Sequence, residues 1–127
     1  MPKRVFVSFD YDYDKILKDF LIGQARNEGS PFVIHDWSIK EASPDWKVKA
    51  RARIRASDLV IVICGEHTDA AVGVGIELKM AQEEGIDYFL LNGYNGQTGK
   101  KPTTARTTDK VYEWTWVNLE RLVGGAR

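Results

Sequence analysis

Cysteine occurs once in these 127 residues, at Cys64, inside an apolar run. A single cysteine closes no internal disulfide and builds no cysteine-rich zinc site, which points to a reducing, cytoplasmic home. Long hydrophobic runs are missing as well. No stretch reaches the roughly 18 consecutive apolar residues of a membrane helix, and the N-terminal MPKRVFVSFD has no apolar block of the kind an export signal carries. No membrane partner is expected. An excess of one charge is also lacking: Lys plus Arg equals Asp plus Glu at 18 each, so nothing advertises nucleic acid and no acidic tail suggests solvating disorder. Any electrostatic function must be local. Internal repeats and low-complexity tracts are absent, and a chain of this length holds one proper core, so residues 1–127 are read as a single domain.

What is present is an alternation of short apolar runs and helical spacings. RVFVSFD (4–10) is β-branched and aromatic and stops at an acidic loop, DYDYD; KILKDFLIGQARNEG then has helical spacing, with Gly29 as its stop. PFVIHDW (31–37) is a second strand, followed by the loop SIKEASPDW. Ser43 and Pro44 look like an N-cap and a first helical position. KVKARARIRAS alternates basic and apolar residues as a strand would, yet the cap before it, its Ala and Arg content and the buried strand DLVIVICG (58–65) directly after it make it a helix. AAVGVGIELKMAQEEG (70–85) is the third helix and IDYFLLNG (86–93) the fourth strand. YNGQTGKKPTTARTT (94–108) is a polar, mobile loop, VYEW a short last strand and WVNLERLV a closing helix. Alternating strands and helices predict a doubly wound α/β domain with a flavodoxin-like, mostly parallel sheet of about five strands.

In such sheets ligands bind beyond the carboxyl ends of the strands. Glu77 lies near the start of the third helix on that edge, and its helical neighbours at three and four residues, Gly73, Val74, Met80 and Ala81, are all apolar. A carboxylate there either binds something or escapes by snorkelling or pairing with Lys79 or a basic residue of the second helix. Several chemistries fail on their own residues. There is no GxxxxGK[ST] phosphate loop, and an acidic FDYDYD repels phosphate. Cys64, Gly65 and Glu66 stand where a phosphoacceptor Asp would end the third strand. Asp10, Asp12 and Asp14 open like a calcium loop, but Lys15 and Leu21 occupy the positions of its Gly and Glu. No haloacid-dehalogenase GDxxxD follows the first DxD, and GVG before Glu77 is too short for a dinucleotide fingerprint. No metal site and no resident cofactor is expected.

Five pieces in order, VFVSFDYDYD, HDWSIKEASPDW, ASDLVIVICGEHT, GVGIELKMAQ and VYEWTWVNLERLV, resemble the small TIR-like domains typified by the TIR-like subunit of the Thoeris bacterial antiphage system. The resemblance spans nearly the whole chain. It implies cleavage of NAD at the nicotinamide glycosidic bond, as a hydrolase or ADP-ribosyl cyclase, with NAD as substrate. The product implied is an ADP-ribose-derived nucleotide, cyclic or conjugated, that signals to a downstream effector in antiviral defence. It also implies a homo-oligomer, a site that can stay latent until triggered, and Glu77 as the catalytic glutamate. Where other TIR domains carry Trp-Cys before that glutamate, this chain has Val72 to Ile76, as the TIR-like branch does. The chemistry suits one carboxylate: nicotinamide leaves neutral from a cationic ring, so no acid need protonate it, unlike the two-carboxylate case of ordinary glycosides. N-ribosyl or deoxyribosyl transfer on nucleosides, and a non-enzymatic assembly module, are the alternatives.

Around Glu77, the candidate substrate contacts are Phe9, Asp10 and Tyr11 after the first strand, Asp36, Trp37 and Ser38 after the second, and His67 after the third. Phe9 is equally a core residue. His35 is read as structural, Trp46 as a staple between helix and sheet, and Trp114 and Trp116 as anchors of the last helix. The basic row Lys47 to Arg55 reads as a solvated surface or a site for an acidic partner.

Overall fold

The structure, a computed structural model, describes residues 2–39 and 44–127. Its elements follow the expected order: β1 (Lys3–Ser8), α1 (Lys15–Ala25), β2 (Phe32–Trp37), α2 (Trp46–Arg55), β3 (Leu59–Cys64), a 3-10 turn (Thr68–Ala70), α3 (Val72–Glu83), β4 (Asp87–Asn92), β5 (Val111–Tyr112) and α4 (Trp116–Val123). The strands form one sheet in the order β2-β1-β3-β4-β5, and each neighbouring pair is parallel. This is the flavodoxin-like arrangement.

Pleat alternation sorts the core into two layers. Val5, Val7, Ile61 and Ile63 point to the side where Leu21 of α1 and Leu119 and Leu122 of α4 pack. Phe6, Val60, Val62 and Cys64 point the other way, against Ala50 and Ile54 of α2 and Val74 and Leu78 of α3. β3 is buried along its whole length, which is why its sequence is an unbroken apolar run. The period-2 look of α2 is incidental. Ala50 and Ile54, four residues apart, carry its buried stripe, while Val48 faces solvent.

Several boundaries differ from the sequence reading. β1 ends at Ser8, which leaves Phe9 and Asp10 in the loop, and α1 stops at Ala25. Gly29 instead takes a left-handed φ of 76° in the turn before β2. Ser43 lies outside the described residues, and the position before α2 is Asp45. β5 is two residues long, so Trp114 belongs to the connection into α4. His35 is exposed on the edge strand β2 and packs into no core. Trp114 and Trp116 do pack against the layer holding α1 and α4: the Trp114 indole donates to Gln24 Oε1 at 2.7 Å, and Trp116 lies 6.5 Å from the Phe32 ring.

Segment 94–108 has no regular structure, as expected, but it is tied down. Lys100 N–H donates to the Gly65 carbonyl at 3.0 Å, and the Thr104 hydroxyl donates to the Gly75 carbonyl of α3 at 2.6 Å. Gly99 passes so close to Cys64 that a β-carbon there would overlap its carbonyl group.

Candidate active site

Strand order reverses between β1 and β3: from β1 the chain winds outward to β2, from β3 outward to β4. The loops leaving two such strands diverge and open a crevice at their carboxyl ends. A cavity of about 440 Å³ occupies that position, within the range of small-molecule sites. Phe9 to Tyr13 line it from the loop after β1, Ser38 and Ile39 from the loop after β2, and His67 and Ala70 to Val72 from the exit of β3. Trp46 lines it from the start of α2. Glu77, in the second turn of α3, completes the wall.

Glu77 is 4% exposed, so it does not snorkel. Its Oε1 accepts hydrogen bonds from the Ser38 hydroxyl at 2.5 Å and the Ser8 hydroxyl at 2.7 Å, both buried. Two hydroxyl donors on one oxygen fix the orientation of the carboxylate. Hydrogen bonds to charged groups contribute roughly 1.5–3 kcal/mol each, enough to offset much of the cost of burial. The Ser38 hydroxyl also accepts from the Phe9 N–H at 3.1 Å, and so ties the loops after β1 and β2 to α3.

The mouth is acidic and aromatic. Asp10 Oδ1 accepts from the Asp12 N–H at 3.1 Å, which shapes the turn that presents Tyr11 and Tyr13. Tyr11 stacks on Phe9 with centroids 6.1 Å apart, and Tyr13 lies 4.0 Å from the His67 ring. Phe9 is at once core and wall: it is buried, and it lines the cavity.

Asp36 and Trp37, two candidates from the sequence, do not line the cavity. Asp36 pairs with Arg53 of α2 at 3.2 Å, and the Trp37 ring lies 5.0 Å from the Lys18 ammonium. Lys18 is itself a surprise, 7% exposed in the middle of α1 and held by Asp19 at 2.6 Å. Its stem lies among aromatic rings and its charge over them. Ser8 was also missed by the sequence reading. Its signal is a lone small polar residue in the otherwise apolar end of β1, one pleat step from Val7 and therefore facing α3.

Behind the mouth, Asp14 is 6% exposed, and its Oδ2 has no hydrogen-bond partner among the described residues. Burial first, then the neighbouring Asp10, pushes its carboxyl up to about 6; His67 and Thr68 act against them. Gly65 makes room for it, since a β-carbon there would stand 2.5 Å from an Asp14 oxygen. Burial likewise pushes the Cys64 thiol up to about 12, so it stays protonated and is no nucleophile. Among the described residues, no three His, Cys, Asp or Glu side chains converge as metal ligands would, and no helix is long and apolar enough to cross a membrane.

No family model matches this chain, and no curated protein does. Among solved structures the fold does have a counterpart. It is shared with a 2-desoxiribosyltransferase from Leishmania mexicana. That likeness covers 99% of this chain and 100% of the other at a TM-score of 0.64, with 14% sequence identity. At that identity the likeness concerns the fold.

Proposed function

We propose that this protein breaks an N-glycosidic bond at the anomeric carbon of a ribose, with Glu77 as the catalytic carboxylate, and that its substrate is NAD. The observation that carries the proposal is the buried, doubly hydrogen-bonded Glu77 at the wall of an acidic, aromatic cavity over the β1/β3 crossing point. When the bond to nicotinamide breaks, its electron pair moves onto the ring nitrogen and nicotinamide leaves neutral. Positive charge then develops across the ribose C1′ and ring oxygen. A fixed carboxylate in a water-poor wall offsets that charge strongly and needs no reorganisation to do so. The Asp10 and Asp12 carboxylates and the faces of Tyr11, Tyr13 and Trp46 suit a cationic pyridinium better than a neutral base. Water, or a nucleophile within or beyond the substrate, captures the ADP-ribosyl group; the TIR-like resemblance favours a cyclic or conjugated signalling product in antiphage defence.

A second reading, deoxyribosyl transfer, has its own support in the fold shared with the 2-desoxiribosyltransferase. Its neutral leaving base would need a proton, for which the wall offers the His67 imidazole at the mouth. Parallel incubations with NAD, and with a 2′-deoxynucleoside plus a second free base, separate the two. Nicotinamide release with an inert deoxynucleoside supports the first reading. Base exchange with NAD intact replaces it by the second.

A further inference from the structure

α2 carries five basic residues and no acidic one. Lys49 pairs with Asp45 at 3.7 Å and Arg53 with Asp36 at 3.2 Å, while Arg51 and Arg55 reach across to Glu83 and Glu84 at the end of α3. Lys47 has no carboxylate partner among the described residues, and neither has Lys79, the one basic residue of α3. Both are exposed. Their positions are related. α2 and α3 each return from the carboxyl edge of the parallel sheet to its amino edge, so they run in the same direction, and Arg51 meets Glu83 at 3.0 Å. One turn back along each helix stand Lys47 and Lys79, which therefore oppose each other as like charges.

Between the two helices lies a groove of about 440 Å³, within the range of small-molecule sites. Val48 and Ala52 of α2 and Ile76 and Met80 of α3 line it, each pair one helical turn apart. The core does not use this side of α2: its buried stripe is Ala50 and Ile54, whereas Val48 is 72% exposed. An apolar stripe left on the outside of a helix marks a contact surface. The apolar lining is aliphatic, with no aromatic ring to select a planar ligand. Arg51, Arg55 and Glu83 bound the far end, so the charge of the groove is uneven, neutralised there and cationic at the end that holds Lys47 and Lys79.

We propose that this groove binds a single-chain aliphatic carboxylate, its head between Lys47 and Lys79 and its tail along Val48, Ala52, Ile76 and Met80. An anion between two opposed cations is attracted by both and relieves their repulsion. The helix wall from Lys47 to Arg55 is about 12 Å long, which sets the length of the tail. A protein partner fits less well: a stable contact buries roughly 800 Å² on each side, and the apolar lining here amounts to two side chains from each helix. The cavity beside Glu77 does not take the same ligand, because Asp10, Asp12 and Glu77 in its wall repel a carboxylate. The proposal goes beyond the catalytic reading and stands whichever N-glycoside that cavity takes.

Isothermal titration calorimetry of the full chain with decanoate, kept below its micelle concentration, tests it. Acetate supplies the head alone and decylammonium the tail with the opposite charge. Wild type should bind decanoate one to one, more weakly in high salt, and should bind neither acetate nor decylammonium. Lys47→Glu, Lys79→Glu and Val48→Glu all fall on exposed positions outside the Glu77 cavity, and circular dichroism confirms their folding. Each should weaken decanoate binding at least about tenfold, the first two by turning an attraction into a repulsion and the third by placing a charge against the tail. Wild type that gives no heat with decanoate overturns the proposal, even if it binds anionic phospholipid vesicles or an acidic, apolar peptide instead. So does equal binding of decylammonium, or variants that bind decanoate as wild type does.

Discussion

Glu77 owes its position to side chains far from it in sequence: Ser38, 39 residues away, and Ser8, 69 residues away, both donate to one carboxylate oxygen. Replacing Ser38 by Ala removes one donor and loosens the carboxylate without emptying the site. Turnover should then fall by roughly one to two powers of ten, the kinetic equivalent of about 1–3 kcal/mol, and the melting temperature should fall too, because the buried Phe9 N–H and Glu77 Oε1 each lose a partner. Unchanged turnover would mean that Ser38 only closes a loop. Asp14 gives a pH prediction. Its folded-state value, about 6, exceeds the ordinary 3.8, so folding favours its protonated form and the stability tied to that form is lost as pH rises through 6. Asp14→Asn should therefore melt higher than wild type above about pH 6. The gain should vanish as pH falls toward 3.8, and a gain independent of pH would refute the assignment. The apolar setting of Glu77 was legible from residues three and four positions away. The burial of Asp14 and Lys18 was not, because both depend on chain segments that no local period reveals.

At the scale of elements, β3 and α3 were readable because their patterns are local: an unbroken apolar run, and apolar residues at helical spacing. α2 required the weaker argument that a strand cannot directly precede β3 without a turn, and its outward Val48 shows how misleading alternation alone would have been. The polar segment after β4 hid its attachment, since its ties are a backbone bond from Lys100, the Thr104 hydroxyl on the Gly75 carbonyl and the close approach of Gly99 to Cys64, none of which follows a local period. Gly99→Ala forces a β-carbon into the Cys64 carbonyl and should destabilise the fold by at least about 1–3 kcal/mol in chemical denaturation; a neutral result would show that the segment can lift away. Between α2 and α3, Arg55 and Arg51 hold the Glu84 carboxyl down at about 2. That stabilisation is present above the ordinary value of 4.5 and is lost as pH falls toward 2. Glu84→Gln should lower the melting temperature modestly at neutral pH, and the difference should shrink in acid and in high salt because Arg55 is exposed and Arg51 and Glu84 are only half-buried. A difference that ignores salt would assign the loss to packing.

For the whole molecule, the sheet order places three loops around one crevice, and that geometry gathers Phe9, Asp10, Tyr11, Ser38, His67 and Glu77 from three separate connections and one helix. The strand and helix alternation was enough to predict the crevice. It did not predict that Asp36 and Trp37 would turn away, because β2 is an edge strand and Asp36 finds Arg53 on the neighbouring helix. The fold is shared with a 2-desoxiribosyltransferase; the two proposed readings differ in substrate, and each puts its reaction at a sugar anomeric carbon beside Glu77. Nicotinamide release from NAD, followed by mass spectrometry for wild type and Glu77→Gln at equal, high protein concentration, tests that claim most directly. The account predicts nicotinamide and an ADP-ribose-derived co-product from wild type, and a loss of at least about a hundredfold in the variant with the fold retained. Equal release from both proteins would contradict it.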